Sequence, residues 1–172
     1  SPGAVVDYGF FNCKPVVCDQ ALARRAAELR DVMVYAAVTV PPLPEVVKHP
    51  GSFVYIDWHW SKLTRMISAA FPPAYYSPVQ YHMAPYQFRT IPLEEETGIG
   101  YRSAYFDEGE KAKSVKQVSI FQVSPMDERG WFNFGPQASA CSGNIANARC
   151  VIVEVNKNQP VSACANPLPA VC

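Results

Sequence analysis

The run Gln122-Val-Ser-Pro-Met-Asp-Glu-Arg-Gly-Trp-Phe-Asn-Phe-Gly-Pro-Gln137 sets a Pro turn, a Gly, an aromatic-rich hairpin and a second Gly-Pro directly after an apolar segment. Such punctuation after a buried strand shapes a ligand edge in an α/β sheet. A second candidate is Gly9-Phe-Phe-Asn-Cys-Lys-Pro15, between a strand-like and a helix-like segment. Main-chain N–H groups there could hold an anionic group at the helix start. The plainer reading is a tight crossover turn with Phe10 and Phe11 in the core. The loop has neither the full GxGxxG pattern nor a Walker Lys-Ser/Thr.

Acid–base chemistry has two candidates. Asp57-Trp-His-Trp60 sets His59 beside a carboxylate, a pairing suited to proton transfer. A packed strand end, with His59 satisfied by hydrogen bonds, is the preferred reading. Glu154, in Val-Ile-Val-Glu-Val-Asn, stands near the end of an apolar run, where α/β sheets put their sites. Pairing with a buried cation is the alternative. Glu94-Glu-Glu96 and Asp107-Glu-Gly-Glu110 could supply metal ligands, but they read as solvated loop charges without a calcium-loop pattern. Ser124, Ser139 and Ser142 lack a GxSxG context. No catalytic residue and no metal site is assigned.

The elements that must position these groups alternate. Val5–Tyr8 reads as a strand. A helix begins near Pro15 and runs through residues 19–29, with Leu22, Ala26 and Leu29 on one face. Val32–Val40 is a continuous apolar run of the kind buried on both sides of a sheet, ended by Pro41-Pro-Leu-Pro44. The pattern repeats with a strand at Phe53–Trp58, a helix at Lys62–Ala70 and an extended segment at Tyr75–Tyr81. Residues 82–110 read as a long surface excursion. A strand at Val118–Val123, a helix at Gln137–Ala148 and a strand at Cys150–Val155 follow. The alternation predicts an α/β fold, a mostly parallel sheet flanked by helices. One domain is expected over residues 1–160, with an irregular Pro-rich tail at 161–172.

Hydrophobic residues make up 49% of the 172 and charged residues 17%, below the roughly 25% usual in soluble domains. The low charged fraction suggests a face covered by a partner or a second domain. Net charge is zero and basic residues do not cluster, which argues against nucleic acid and anionic membranes as partners. No apolar run approaches a membrane span. The six cysteines form no CxxC and the three histidines have no finger spacing, so free thiols in a reducing cytoplasm are expected. The opening residues read as though the sequence begins inside a fold.

Several blocks, taken in order, resemble one family. They are Asp7-Tyr-Gly-Phe-Phe-Asn, Tyr35-Ala-Ala-Val-Thr-Val-Pro, Tyr55-Ile-Asp-Trp-His-Trp-Ser, Arg102-Ser-Ala-Tyr-Phe-Asp, Gln122-Val-Ser-Pro-Met-Asp, Phe132-Asn-Phe-Gly-Pro-Gln and Val151-Ile-Val-Glu-Val-Asn. Over about residues 4–160 the chain is similar to the acetyl-CoA hydrolase/transferase family, which includes butyrate, propionate and 4-hydroxybutyrate CoA-transferases. The resemblance implies a CoA-transferase-type α/β domain, the first of two related domains. It implies ping-pong transfer of CoA between a short-chain acyl-CoA and a small carboxylate, with CoA as substrate and no resident cofactor. The family's nucleophilic Glu belongs to the second domain, so this chain alone is expected to be silent. Gly9, Phe10 and Asn12 of the first loop, and Gly135, Pro136 and Gln137 of the second, are implied to face the substrate. Cys13 departs from the family pattern, which has Gly after Asn12. The segment after Pro160 departs from the family's continuation, a departure that a truncation, a frame change or a gene fragment would explain. The competing expectation is a stand-alone binding or subunit-interaction module without catalysis.

Overall fold

The computed structural model describes residues 4–8, 14–78, 80, 117–136, 141, 144–145, 148–162 and 168–169. Its elements are β1 (Val5–Tyr8), α1 (Val16–Arg24), β2 (Val32–Ala36), β3 (Phe53–Asp57), α2 (Lys62–Ala70), β4 (Ala74–Tyr76), β5 (Gln117–Val123), β6 (Trp131–Phe132), β7 (Cys150–Val155) and β8 (Leu168–Pro169). Two short 3-10 turns, Ala26–Glu28 and Glu45–Lys48, lie between α1 and β3. Six strands form one sheet in the order β4-β3-β2-β1-β5-β7, and each neighbouring pair is parallel. The expected α/β fold with a parallel sheet is what the chain adopts.

Alternation along the strands divides the apolar residues between two faces. On one face Val6, Tyr8, Val34, Ala36, Tyr55 and Ile120 pack with Ala23 and Ala26, Val46 and Val47, and Ile67 of α2. On the other, Phe121 and Val123 pack with Phe134 and Cys141, flanked by Ile145, Val151 and Val153. Phe121 and Phe134 meet edge to face at 5.5 Å, a favoured aromatic geometry.

Local signals account for several boundaries. Ser61 caps α2, its Oγ accepting from Thr64 N at 3.0 Å, as a Ser N-cap should. Pro72-Pro73 stops the helix and β4 begins directly after, so the segment expected over 75–81 is a strand over Ala74–Tyr76, with residues 79 and 81 outside the described residues. β2 ends at Ala36 rather than at residue 40. Beyond it, Thr39 N and the Val40 carbonyl bond to the side chains of Asp57 and Lys14 instead of a strand ladder. The helix after the Gly135-Pro136 turn is seen at Cys141, Asn144 and Ile145. The excursion expected over 82–110 lies outside the described residues. Within the expected tail, Leu168–Pro169 pairs antiparallel with Trp131–Phe132. Among the described residues no helix is long and apolar enough to cross a membrane.

Candidate functional site

The strand order reverses at β1. Successive connections carry the chain from β1 to β2, β3 and β4 on one side, and β5 and β7 lie on the other. In an open parallel sheet such a switch point leaves a crevice beyond the carboxyl ends of the strands, where ligands bind. The connection leaving β1 and the turn leaving β5 both emerge there, and they carry the two candidate loops.

The first turn of α1 is pinned from several directions. Pro15 stands at the N-cap with no side-chain cap, so the first helical amides need an outside acceptor. Glu154 supplies it from β7. Its Oε2 accepts from Val17 N and Cys18 N, both at 2.8 Å. Its Oε1 accepts from Gln122 Nε2 at 2.9 Å, and Gln122 Oε1 accepts from Asn156 Nδ2 at 3.1 Å. A carboxylate there is also favoured by the helix dipole. Burial, reinforced by the Glu154 charge and hydrogen bond, pushes the Cys18 thiol up to about 11.

One residue further on, Asp19 is buried and accepts from Tyr8 Oη at 2.9 Å and from Glu45 N at 2.6 Å. Burial raises both the Asp19 carboxyl and the Tyr8 hydroxyl, and the bonds to Asp19 pull its value partly back. Lys14 Nζ donates to the Val40 carbonyl at 2.7 Å and to the Pro42 carbonyl. Burial lowers the Lys14 ammonium, and nearby Asp19 opposes that shift. The segment from Lys14 to Asp19 is thus tied to β1, to the segment after β2, to the Glu45 turn and to β7.

The opposite face carries a buried polar pair. Asp7 Oδ2 accepts from Asn144 Nδ2 at 2.6 Å. Burial pushes the Asp7 carboxyl up to about 8, against the bond from Asn144. Ser119 faces Asp7 in register on β5. Its Oγ and Asn144 Oδ1 are both buried without a partner among the described residues.

The Gly135 turn is locked by its own chain. Asn133 Oδ1 accepts from Gly135 N at 2.7 Å, and Ser162 Oγ donates to the Gly135 carbonyl at 2.5 Å. Asn133 Nδ2 donates to the Ser162 carbonyl at 2.8 Å. Gly135 has φ +69°, and a Cβ there would meet Gln159 Nε2 at 2.7 Å and the Pro160 carbonyl at 2.8 Å. Only glycine satisfies both conditions.

Of the residues expected to face substrate, Gly135 is buried at this turn and Pro136 is exposed beside it. Gly9, Phe10, Asn12 and Gln137 lie outside the described residues. The anion position considered at the start of α1 is filled by Glu154, which caps a helix rather than pairing with a buried cation. Asp57 does not engage the His59 ring. Its carboxylate accepts from Thr39 N at 3.1 Å, Thr64 Oγ1 at 2.7 Å, Thr39 Oγ1 and the backbone N–H of His59 at 2.8 Å. The His59 side chain is exposed. The strand end is packed as preferred, but hydrogen bonds to the imidazole are not what holds it. Ser124 Oγ accepts from Asn133 N at 3.3 Å and serves the hairpin. Cys18 and Cys150 are free thiols. Sequence reasoning missed the Asp7–Asn144 pair and the ties of Lys14 and Asp19. A lone acid inside Val5-Val-Asp-Tyr8 was the available signal for the first; nothing local marked the others.

Comparison with known proteins decides the family. The profile of the acetyl-CoA hydrolase/transferase N-terminal domain matches residues 76–165, just over half of the chain. The chain belongs to this family. It is 35% identical over 162 residues to the butyryl-CoA:acetate CoA-transferase of Anaerostipes caccae, covering 92% of this chain and 31% of that protein. A probable butyrate:acetyl-CoA coenzyme A-transferase of Syntrophomonas wolfei is 29% identical, with the same coverage of both chains. This acetyl-CoA hydrolase/transferase domain therefore spans about a third of the length of these relatives. Solved structures share its fold. RipA from Yersinia pestis superposes with a TM-score of 0.67 at 22% identity, over 93% of this chain and 35% of that one. A cysteine-to-serine variant of the decarboxylase AibA/AibB gives 0.58 at 16%, over 98% of this chain and 74% of that one.

Proposed function

We propose that this chain is the N-terminal half-site of an acyl-CoA:carboxylate CoA-transferase that moves CoA between a short-chain acyl-CoA and a small carboxylate such as acetate. The observation that carries this reading is the 35% identity to a butyryl-CoA:acetate CoA-transferase, sustained over 92% of the chain. The switch-point architecture supports it, because the two candidate loops emerge beside one another at the carboxyl edge. The reacting carboxylate comes from the remainder of the family's length. It attacks the thioester carbonyl and expels CoA thiolate, leaving a mixed anhydride. CoA thiolate then attacks the enzyme-side carbonyl, releases the first carboxylate and leaves a glutamyl-CoA thioester, from which the second carboxylate takes CoA by the reverse steps. Gly9, Phe10, Asn12, Gly135, Pro136 and Gln137 form the wall against which the acyl group and carboxylate rest. Gly135 acts through shape, since its N–H and carbonyl are already bonded within the turn. The chain is cytoplasmic in this reading.

The test is to incubate butyryl-CoA and acetate with the chain alone, and with the chain joined to the rest of the family's length. Acetyl-CoA should form only in the second case. Transfer by the chain alone, or none by the completed protein, contradicts the proposal. A second reading, assembly with a separately encoded half, is favoured by the AibA/AibB comparison, where the same fold occupies 74% of one chain. In that case mixing the two halves restores transfer without covalent joining.

A further inference from the structure

We propose that Asp7 acts as a hydrogen-bond donor, its acid proton resting on Asn144 Oδ1, and that this reciprocal acid–amide pair is a pH-sensitive latch holding the helix that carries Asn144 to β1. Asn144 Nδ2 donates to Asp7 Oδ2 at 2.6 Å, and both side chains are buried. Asn144 Oδ1 is buried too, and it receives no N–H or alcohol O–H. Ser119 stands in register beside Asp7 on β5, but its buried hydroxyl bonds to neither partner. Buried acceptors in native proteins find donors. The group already bonded to this amide is the Asp7 carboxyl, which donates as an acid and only accepts as a carboxylate. Asp57 marks the contrast. It is equally buried, and Thr39 N, Thr39 Oγ1, Thr64 Oγ1 and His59 N all donate to it. Asp7 has the one neutral donor of Asn144, an environment for the acid form. Burial accordingly raises the Asp7 carboxyl to about 8, with the Asn144 bond opposing and no charged group among the influences. The ionisable side chains on the elements packed around it are Tyr35, in register on β2, and Cys141 on the helix.

Asn144 belongs with Cys141 and Ile145 to the helix that packs on Phe121, Val123 and Phe134. Ionisation of Asp7 removes the donor and sets a carboxylate beside the amide oxygen. Opening the helix lets that carboxylate reach water, so rising pH favours opening until Asp7 is ionised in the closed state as well. The latch does not depend on the function proposed above.

The experiment follows the Asp7 carboxyl carbon resonance and backbone amide exchange in the chain between about pH 5 and about pH 9. The carboxyl should stay protonated at about pH 6 and titrate near 8, with the Asn144 side-chain amide shifting at the same midpoint. Protection of the Asn144 and Ile145 amides should lie below that of Val6 and Ile120 in the sheet. It should fall by up to about tenfold per pH unit until the carboxyl is ionised. Asp7→Asn keeps one donor and one acceptor toward Asn144, so protection there should stay within about threefold across the range. Asn144→Ala should lower Ile145 protection about tenfold at about pH 6. An ionised Asp7 at about pH 6 overturns the proposal. Protection of Asn144 and Ile145 that does not change with pH overturns it too. Protection equal to that of the sheet does the same, because the helix then opens only with the whole fold. If neither variant folds, the wild-type titration and exchange decide alone.

Discussion

Asp7 is a carboxyl group in surroundings that favour its neutral form. The folded state holds its proton up to about pH 8, whereas the unfolded chain releases it near the ordinary value of 3.8. Between those values the unfolded state binds fewer protons, so rising pH destabilises the fold by up to about 1.4 kcal/mol per pH unit from this residue. The contribution is complete below the unfolded value and is lost as pH climbs to the folded one. Asp7→Asn should remove that slope. The new amide can donate to the unpartnered Asn144 Oδ1 while still accepting from Asn144 Nδ2. Urea unfolding at several pH values between about 5 and about 7.5 should show the slope in wild type and a flatter line in the variant. Asp57 is the opposite case, an acceptor surrounded by donors from Thr39, Thr64 and His59. Asp57→Ala leaves those donors buried and should cost about 3 kcal/mol or more. Thermal unfolding checks this, and a cost below about 1 kcal/mol would be the contrary outcome.

Among the elements, the hairpin after β5 carries the most specific backbone requirement. Gly135→Ala places a Cβ against Gln159 and Pro160 at a positive φ. The left-handed conformation and the overpacking together should cost roughly 2–4 kcal/mol, measured by chemical denaturation. Asn133→Ala should free the Ser162 segment, read as faster amide exchange there, because it removes bonds to both the N–H and the carbonyl of Ser162. The elements themselves were largely legible. Val5–Tyr8, Lys62–Ala70 and Cys150–Val155 match the sequence reading end to end, since their apolar spacing and caps are local. Boundaries set by distant partners were not legible. α1 starts at Val16, beside the expected start near Pro15, but its cap from Glu154 on β7 was not legible, nor was its tightening to a 3-10 turn after Arg25. β2 stops early because Lys14 and Asp57 take its next polar groups. The same reason hid the site's frame: the residues that hold Lys14, Asp19 and Val17 are separated from them by long stretches of chain. The short strand at Leu168–Pro169 was missed because its ladder partner among the described residues is the two-residue β6.

At the scale of the whole molecule, the chain spans about a third of its relatives' length. Four described carboxylates on or beside the sheet each have an internal structural task. Glu154 caps α1, Asp19 ties α1 to β1 and the Glu45 turn, Asp7 pairs with Asn144, and Asp57 gathers the segment after β2 and the start of α2. In this account the group that reacts lies elsewhere in the completed protein. The direct measurement is peptide mass spectrometry of that protein after incubation with butyryl-CoA and no acceptor carboxylate. The account predicts a CoA thioester on one Glu-containing peptide outside residues 1–172. A CoA adduct on the peptide carrying Glu154, or on any other peptide of this chain, would contradict it.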